Sequence, residues 1–158
     1  MLFILHSLYC INYYFYRVEE NIMNQQEKNN WMRDKKILVV DDTEINVQLT
    51  KIYLKRTGIK GENIVVAIDW LDAVEKSTQA LFDLILMDVN LPWINWSEAS
   101  KIIKSNPKTS KIPIIGFTAA DRYIDTENVF NDVIIRPINK EVFSVRLLEI
   151  LNGQHIKN

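Results

Sequence analysis

Five short apolar runs, separated by longer amphipathic stretches, constrain this chain more than any other feature. They are KILVV ahead of Asp41, NIVVA (Asn63 to Ala67), LILM ahead of Asp88, PIIGFT (Pro113 to Thr118) and DVII ahead of Arg136 and Pro137. An apolar run without polar alternation, bounded by turn or charged residues, reads as a strand buried on both faces. Burial on both faces requires helices above and below the sheet.

The intervening segments have helical spacing. Thr43 to Arg56 sets Ile45, Leu49, Ile52 and Tyr53 along one face, the face expected to turn inward. Gly58 stands where that helix should end. It is one of only 4 glycines, where average usage gives roughly 11. Asp69 to Thr78 is a second helix with Leu71, Val74 and Trp70 inward, and Asp69 and Asp72 stand in a capping-box relation. Asn95 to Lys104 is a third, with Ala99, Ile102 and Ile103 inward, broken by Pro107. Ala119 to Phe130 is expected as a short fourth helix. Asn139 caps the last, which carries Val142, Phe143, Val145, Leu147, Leu148 and Leu151.

Five strand–helix repeats with right-handed crossovers predict an α/β fold, an open, doubly wound, five-stranded parallel sheet with helices on both faces. The flavodoxin-like order 2-1-3-4-5 is the natural arrangement. It puts the first and third strands side by side, so Asp41, Asp42 and Asp88 are expected to converge outside the strands' carboxyl ends. Three carboxylates repel one another, and such a cluster suits a hard divalent cation. The plainer reading of each aspartate alone is a helix cap.

Composition narrows the function. The 158 residues suit one domain, and 19 basic against 20 acidic side chains leave a net charge of -1. Neither nucleic acid nor an anionic membrane is therefore an expected main partner. Cys10 is the only cysteine, and His6 and His155 lie near opposite ends, so a disulfide and a zinc site are both poorly supported. A cytoplasmic location follows. Residues 1–34 read as an extension. Its apolar, aromatic part, Met1 to Tyr16, is shorter than the roughly 20 residues that span a bilayer. A polar lead-in follows. Residues 35–153 are the regular domain and 154–158 a tail; with no further domain expected after Gly153, output is expected through partners.

Together, VVDD with Asn46 downstream, LILMDVNLP, PIIGFTA and the RP pair resemble the receiver domain of two-component response regulators, over roughly Lys35 to Gly153. The resemblance implies that Asp88 is the phosphoacceptor. It implies that Asp41 and Asp42 hold Mg²⁺ (Mn²⁺ being the alternative), with Asp88 and the backbone carbonyl of Asn90 as further ligands. Thr118 would bond the phosphoryl group, and Arg136 stands where the family has a lysine, followed by Pro137 through a cis bond. Asn90 and Ala120 would flank the site. The implied partner is a histidine kinase or histidine phosphotransfer protein, with a downstream target protein or a second copy of the chain on the output side. The implied activity is a stand-alone phosphoacceptor with weak Mg-dependent self-phosphorylation and autodephosphorylation, rather than a turnover enzyme.

The alternative is a pseudo-receiver, an interaction domain with little or no phosphorylation. Several departures favour it. Trp70 and Trp96 replace glycines, Val133 replaces an aromatic switch residue, and the stretch from Thr118 to Arg136 is short by about one helical turn. A separate departure is Arg136, which keeps lysine's charge but presents a planar fork in place of a point charge. A nucleotide or flavin enzyme is disfavoured, because neither G-x-G-x-x-G nor a Gly-rich loop ending in G-K-[ST] occurs. A haloacid-dehalogenase-like phosphatase is disfavoured because DDTE lacks the D-x-D arrangement.

Overall fold

A computed structural model describes residues 30–89, 96–119 and 130–153. Its elements are β1 (Ile37–Val40), α1 (Glu44–Arg56), β2 (Ile64–Ala67), α2 (Trp70–Gln79), β3 (Leu84–Met87), α3 (Trp96–Ser105), β4 (Ile114–Thr118), β5 (Asp132–Ile135) and α4 (Lys140–Leu151). The strands form one parallel sheet in the order β2-β1-β3-β4-β5, as the alternating pattern predicts. The expected helix over 119–130, apart from its end residues Ala119 and Phe130, the extension up to residue 29 and the tail over 154–158 lie outside the described residues.

Side chains of a strand alternate between faces, and each apolar run here is spent on two cores. Ile37 and Val39 join Leu54 of α1 and Phe143, Leu147 and Ile150 of α4 in one cluster. Leu38 and Val40 join Ala73 of α2 and Ile103 of α3 in the other. Continuous apolarity is thus the signature of a sheet covered twice.

The helix ends follow local chemistry. Asp69 caps α2 by accepting from Asp72 N at 2.8 Å. The return bond of Asp72 goes to Ile68 N at 3.2 Å, one residue upstream of the cap, and Lys76 Nζ also donates to Asp72 at 2.7 Å. Asn139 Oδ1 caps α4 by accepting from Glu141 N at 2.8 Å. Gly58 takes φ 102° just past α1, where a Cβ would be strained.

The inward faces differ from expectation. In α1 the buried residues are Val47, Thr50 and Leu54; of the expected face Tyr53 packs against the first cluster, whereas Ile45, Leu49 and Ile52 are 71, 50 and 47% exposed. Helix α1 carries two apolar stripes, and spacing alone does not say which one meets the sheet. For the same reason Leu71 of α2, Ile102 of α3, and Val142 and Val145 of α4 are exposed. Val74 and Trp70 do pack against the second cluster. Upstream of β1, Met32 is only 2% exposed and belongs to the first cluster. The polar lead-in therefore contributes a core residue.

Candidate functional site

Strand register sets the site. Val40 lies level with Met87, so the next residues, Asp41 and Asp88, leave the sheet at the same height on neighbouring strands. Asp41 N donates to Ala67 O at 3.1 Å and Asp88 N to Val40 O at 2.9 Å, which prolongs the sheet pairing through both aspartates. Thr118 ends β4 level with Ile135, and the next residue, Arg136, donates its backbone N–H to Thr118 O at 2.6 Å. The Arg136–Pro137 peptide bond is cis.

Arg136 starts at the edge strand β5, and its side chain crosses β4 to reach the middle of the sheet. Neighbouring strands are about 4.8 Å apart, so β5 and β1 are separated by roughly 14 Å. The guanidinium passes over the Phe117 ring, with Cζ 5.0 Å from the centroid, a favourable cation–π placement. Its fork then divides. Nη2 donates to Asp88 Oδ2 at 2.8 Å and Nη1 to Asp41 Oδ2 at 3.2 Å. Nε is buried and has no acceptor among the described residues.

Both carboxylates are nearly enclosed, Asp41 at 3% and Asp88 at 6% exposure, and Thr118 beside them is fully buried. Asp41 Oδ1 accepts from Thr43 N at 2.9 Å and Asn46 Nδ2 at 3.3 Å. Its pKa is nevertheless raised above 3.8. Burial is the largest cause, and the nearby Asp88 charge adds to it; the bonds from Thr43 and Asn46 and the charge of Arg136 offset only part.

Asp42 behaves differently. It is exposed, and its Oδ1 accepts from Thr43 Oγ1 at 3.1 Å. Of the three aspartates expected to converge, Asp41 and Asp88 share one guanidinium. Among the described residues no three Asp, Glu, His or Cys side chains are gathered as a metal-holding group. Asn90 and Ala120 lie outside the described residues, as does the loop before Trp96. Val133 is half-buried against the second core, beside Gly116, where a Cβ would lie 3.3 Å from the Val133 and Phe130 side chains.

The donor chemistry fits a hard divalent cation. Among the described residues, two buried carboxylates share one guanidinium, an excess of negative charge that a divalent cation would balance. Sequence reasoning passed over two supports, Phe117 under the guanidinium and Thr43 on Asp41. The signal for Phe117 was its place next to Thr118 in PIIGFT.

Residues 37–152 match the family model described as the response regulator receiver domain. Over 115 residues, 69% of this chain, it is 30% identical to the CAI-1 autoinducer sensor kinase/phosphatase CqsS of Vibrio cholerae, and it spans 16% of that protein. It is 26% identical over 119 residues to the polar-differentiation response regulator DivK of Brucella anthropi, covering 75% of this chain and 94% of DivK. Among solved structures, the receiver domain of the sensor histidine kinase PA1611 from Pseudomonas aeruginosa superposes with a TM-score of 0.65 at 27% identity. That match covers 75% of this chain and 98% of the neighbour, which has a magnesium ion coordinated in its active-site cleft. The chain spans only a small part of the first curated relatives it matches.

Proposed function

This chain belongs to the response regulator receiver domain family, and from that premise we propose that it accepts a phosphoryl group on Asp88 from a phosphohistidine. The observation that supports this reading best is the placement of Asp88. It is a buried carboxylate at the end of the central strand β3, held at 2.8 Å by a cation that comes from β5. An Asp88 oxygen would form the new O–P bond as the donor's P–N bond breaks, the electron pair leaving with the imidazole. Carboxylates are weak nucleophiles, so the reaction depends on positioning and on charge stabilisation of the phosphoryl oxygens. Arg136 supplies one positive group, and Thr118, buried at the end of β4, supplies a hydroxyl. Asp41, Asp42, Asp88 and the carbonyl of Asn90 would hold Mg²⁺, which contributes Lewis-acid neutralisation of the transferred group when bound. The magnesium in the cleft of the PA1611 receiver domain supports Mg²⁺ in place of the Mn²⁺ alternative.

The partner on the donor side would be a histidine kinase or histidine phosphotransfer protein, and the reaction would take place in the cytoplasm. Output would go through a target protein or a second copy. No helix among the described residues is long and apolar enough to cross a membrane. Incubation with Mg²⁺ and acetyl phosphate, followed by intact mass, should show one labile phosphoryl addition. Asp88→Asn should abolish it. Absence of the addition with acetyl phosphate and with phosphohistidine donors would leave the second reading, an interaction-only pseudo-receiver. One observation favours that reading: Arg136 pairs with both Asp41 and Asp88 and so occupies carboxylate oxygens that a metal would use.

A further inference from the structure

We propose that Arg136 is an internal counter-ion that competes with the divalent cation for Asp41, so that metal loading requires one arm of its fork to let go. The proposal rests on the phosphoacceptor reading for the presence of the metal, but its geometry is that of this chain's own residues.

Asp41 has two oxygens. Oδ1 is engaged by Thr43 N at 2.9 Å and Asn46 Nδ2 at 3.3 Å, both from the turn into α1. Oδ2 faces Arg136 Nη1 at 3.2 Å. The oxygen not engaged by α1 is therefore the one the guanidinium holds. A metal–oxygen bond of about 2.1 Å on Oδ2 would set a second cation against Nη1. Like charges repel strongly in so enclosed a place, and Arg136 is itself only 14% exposed at the side chain. Both cations cannot keep full contact with Oδ2.

The geometry also says which arm yields. The Asp88 arm is the shorter, 2.8 Å against 3.2 Å. Nε makes no hydrogen bond among the described residues, so a small rotation about the Nη2–Asp88 contact breaks no bond there. Phe117 lies under the guanidinium, 5.0 Å from Cζ, and gives it a flat surface over which to turn. The movement would separate Nη1 from Asp41 and leave Nη2 on Asp88. A fork holds two carboxylates through separate, rigidly spaced nitrogens, whereas a lysine ammonium presents its three donors from one atom on a flexible stem and must share that atom between the two. An arginine here therefore protects the metal-free site and raises the metal concentration needed to fill it.

Calorimetric titration of Mg²⁺ into the whole chain tests this, comparing wild type, Arg136→Lys and Arg136→Gln. Loss of one charge-assisted hydrogen bond predicts a Kd about tenfold tighter for Arg136→Lys and at least as much for Arg136→Gln. Thermal melts without metal should place Arg136→Gln below wild type, and saturating Mg²⁺ should close the gap. If Arg136→Gln does not fold, Arg136→Lys carries the comparison alone. Equal Kd values within twofold, weaker binding by the variants, or no Mg²⁺ binding by any of them would each overturn the counter-ion role. Acetyl phosphate labelling of the same wild-type sample separates the two readings. Labelling with unchanged Kd values sinks only the counter-ion role, and tightened Kd values without labelling sink only the phosphoacceptor role.

Discussion

An ionised Asp41 is a cost to this fold, because burial and the Asp88 charge outweigh the bonds that favour the carboxylate. The sign of the pH effect follows. A pKa raised in the folded state means that the folded protein binds more protons than the unfolded chain between 3.8 and the raised value. This contribution to stability is present below 3.8 and is lost as pH rises through the folded pKa. Denaturant titrations in EDTA should therefore show stability falling across that window, and Asp41→Asn should flatten the fall. Mg²⁺ should stabilise the wild type increasingly over the same rise in pH, because ligands are held by the ionised form. A fall of equal size in Asp41→Asn would show that another group is responsible. The pair of carboxylates at the strand ends was legible in the sequence from the strand pattern alone. The division of labour between Asp41, held inward, and Asp42, exposed, was not, because it depends on where the chain turns after β1.

At the scale of the element, α1 shows how apolar spacing can mislead. The stripe of Ile45, Leu49 and Ile52 and the stripe of Val47, Thr50 and Leu54 run along the same helix, and the sheet takes the second although one of its members is polar. Substituting Leu49→Ser should change stability by no more than about 0.5 kcal/mol. Leu54→Ala, which empties a fully buried position, should cost about 2–5 kcal/mol. Urea denaturation midpoints with unchanged slope distinguish the two outcomes. A large loss in Leu49→Ser would mean that the exposed stripe is covered in solution, and gel filtration of the two variants would then show whether a second copy covers it. The helix caps were more readable than the faces. Asp69 and Asn139 bond to N–H groups two or three residues away, so their chemistry is complete within a few residues of sequence.

Across the whole molecule, the two apolar clusters join elements far apart in the chain. Met32, Leu54, Phe143 and Leu147 meet on one face of the sheet. Met32 precedes the first strand in a stretch with no regular pattern, and nothing local marks it as a core residue. A chain beginning at residue 35 should be less stable than one beginning at residue 30 by about 2–5 kcal/mol, the usual cost of removing a buried methionine side chain. Met32→Ala in the full chain should reproduce most of that loss. Equal melting temperatures for the two truncations would show that the core closes without Met32.

The sequence by itself determined the class of fold, the strand order and the ends of the strands where the chemistry sits. Periodicity, apolar runs and helix caps are local quantities, and right-handed crossovers leave few ways to arrange five such repeats. The tertiary structure alone decided which helix stripe meets the sheet, that Met32 is drawn into the core, and that Arg136 reaches from the edge strand to Asp41. Each of these depends on distances between residues remote in sequence. The last also depends on a length and a shape, since a guanidinium fork resting on Phe117 can span two carboxylates that no pattern of residue types would tie together.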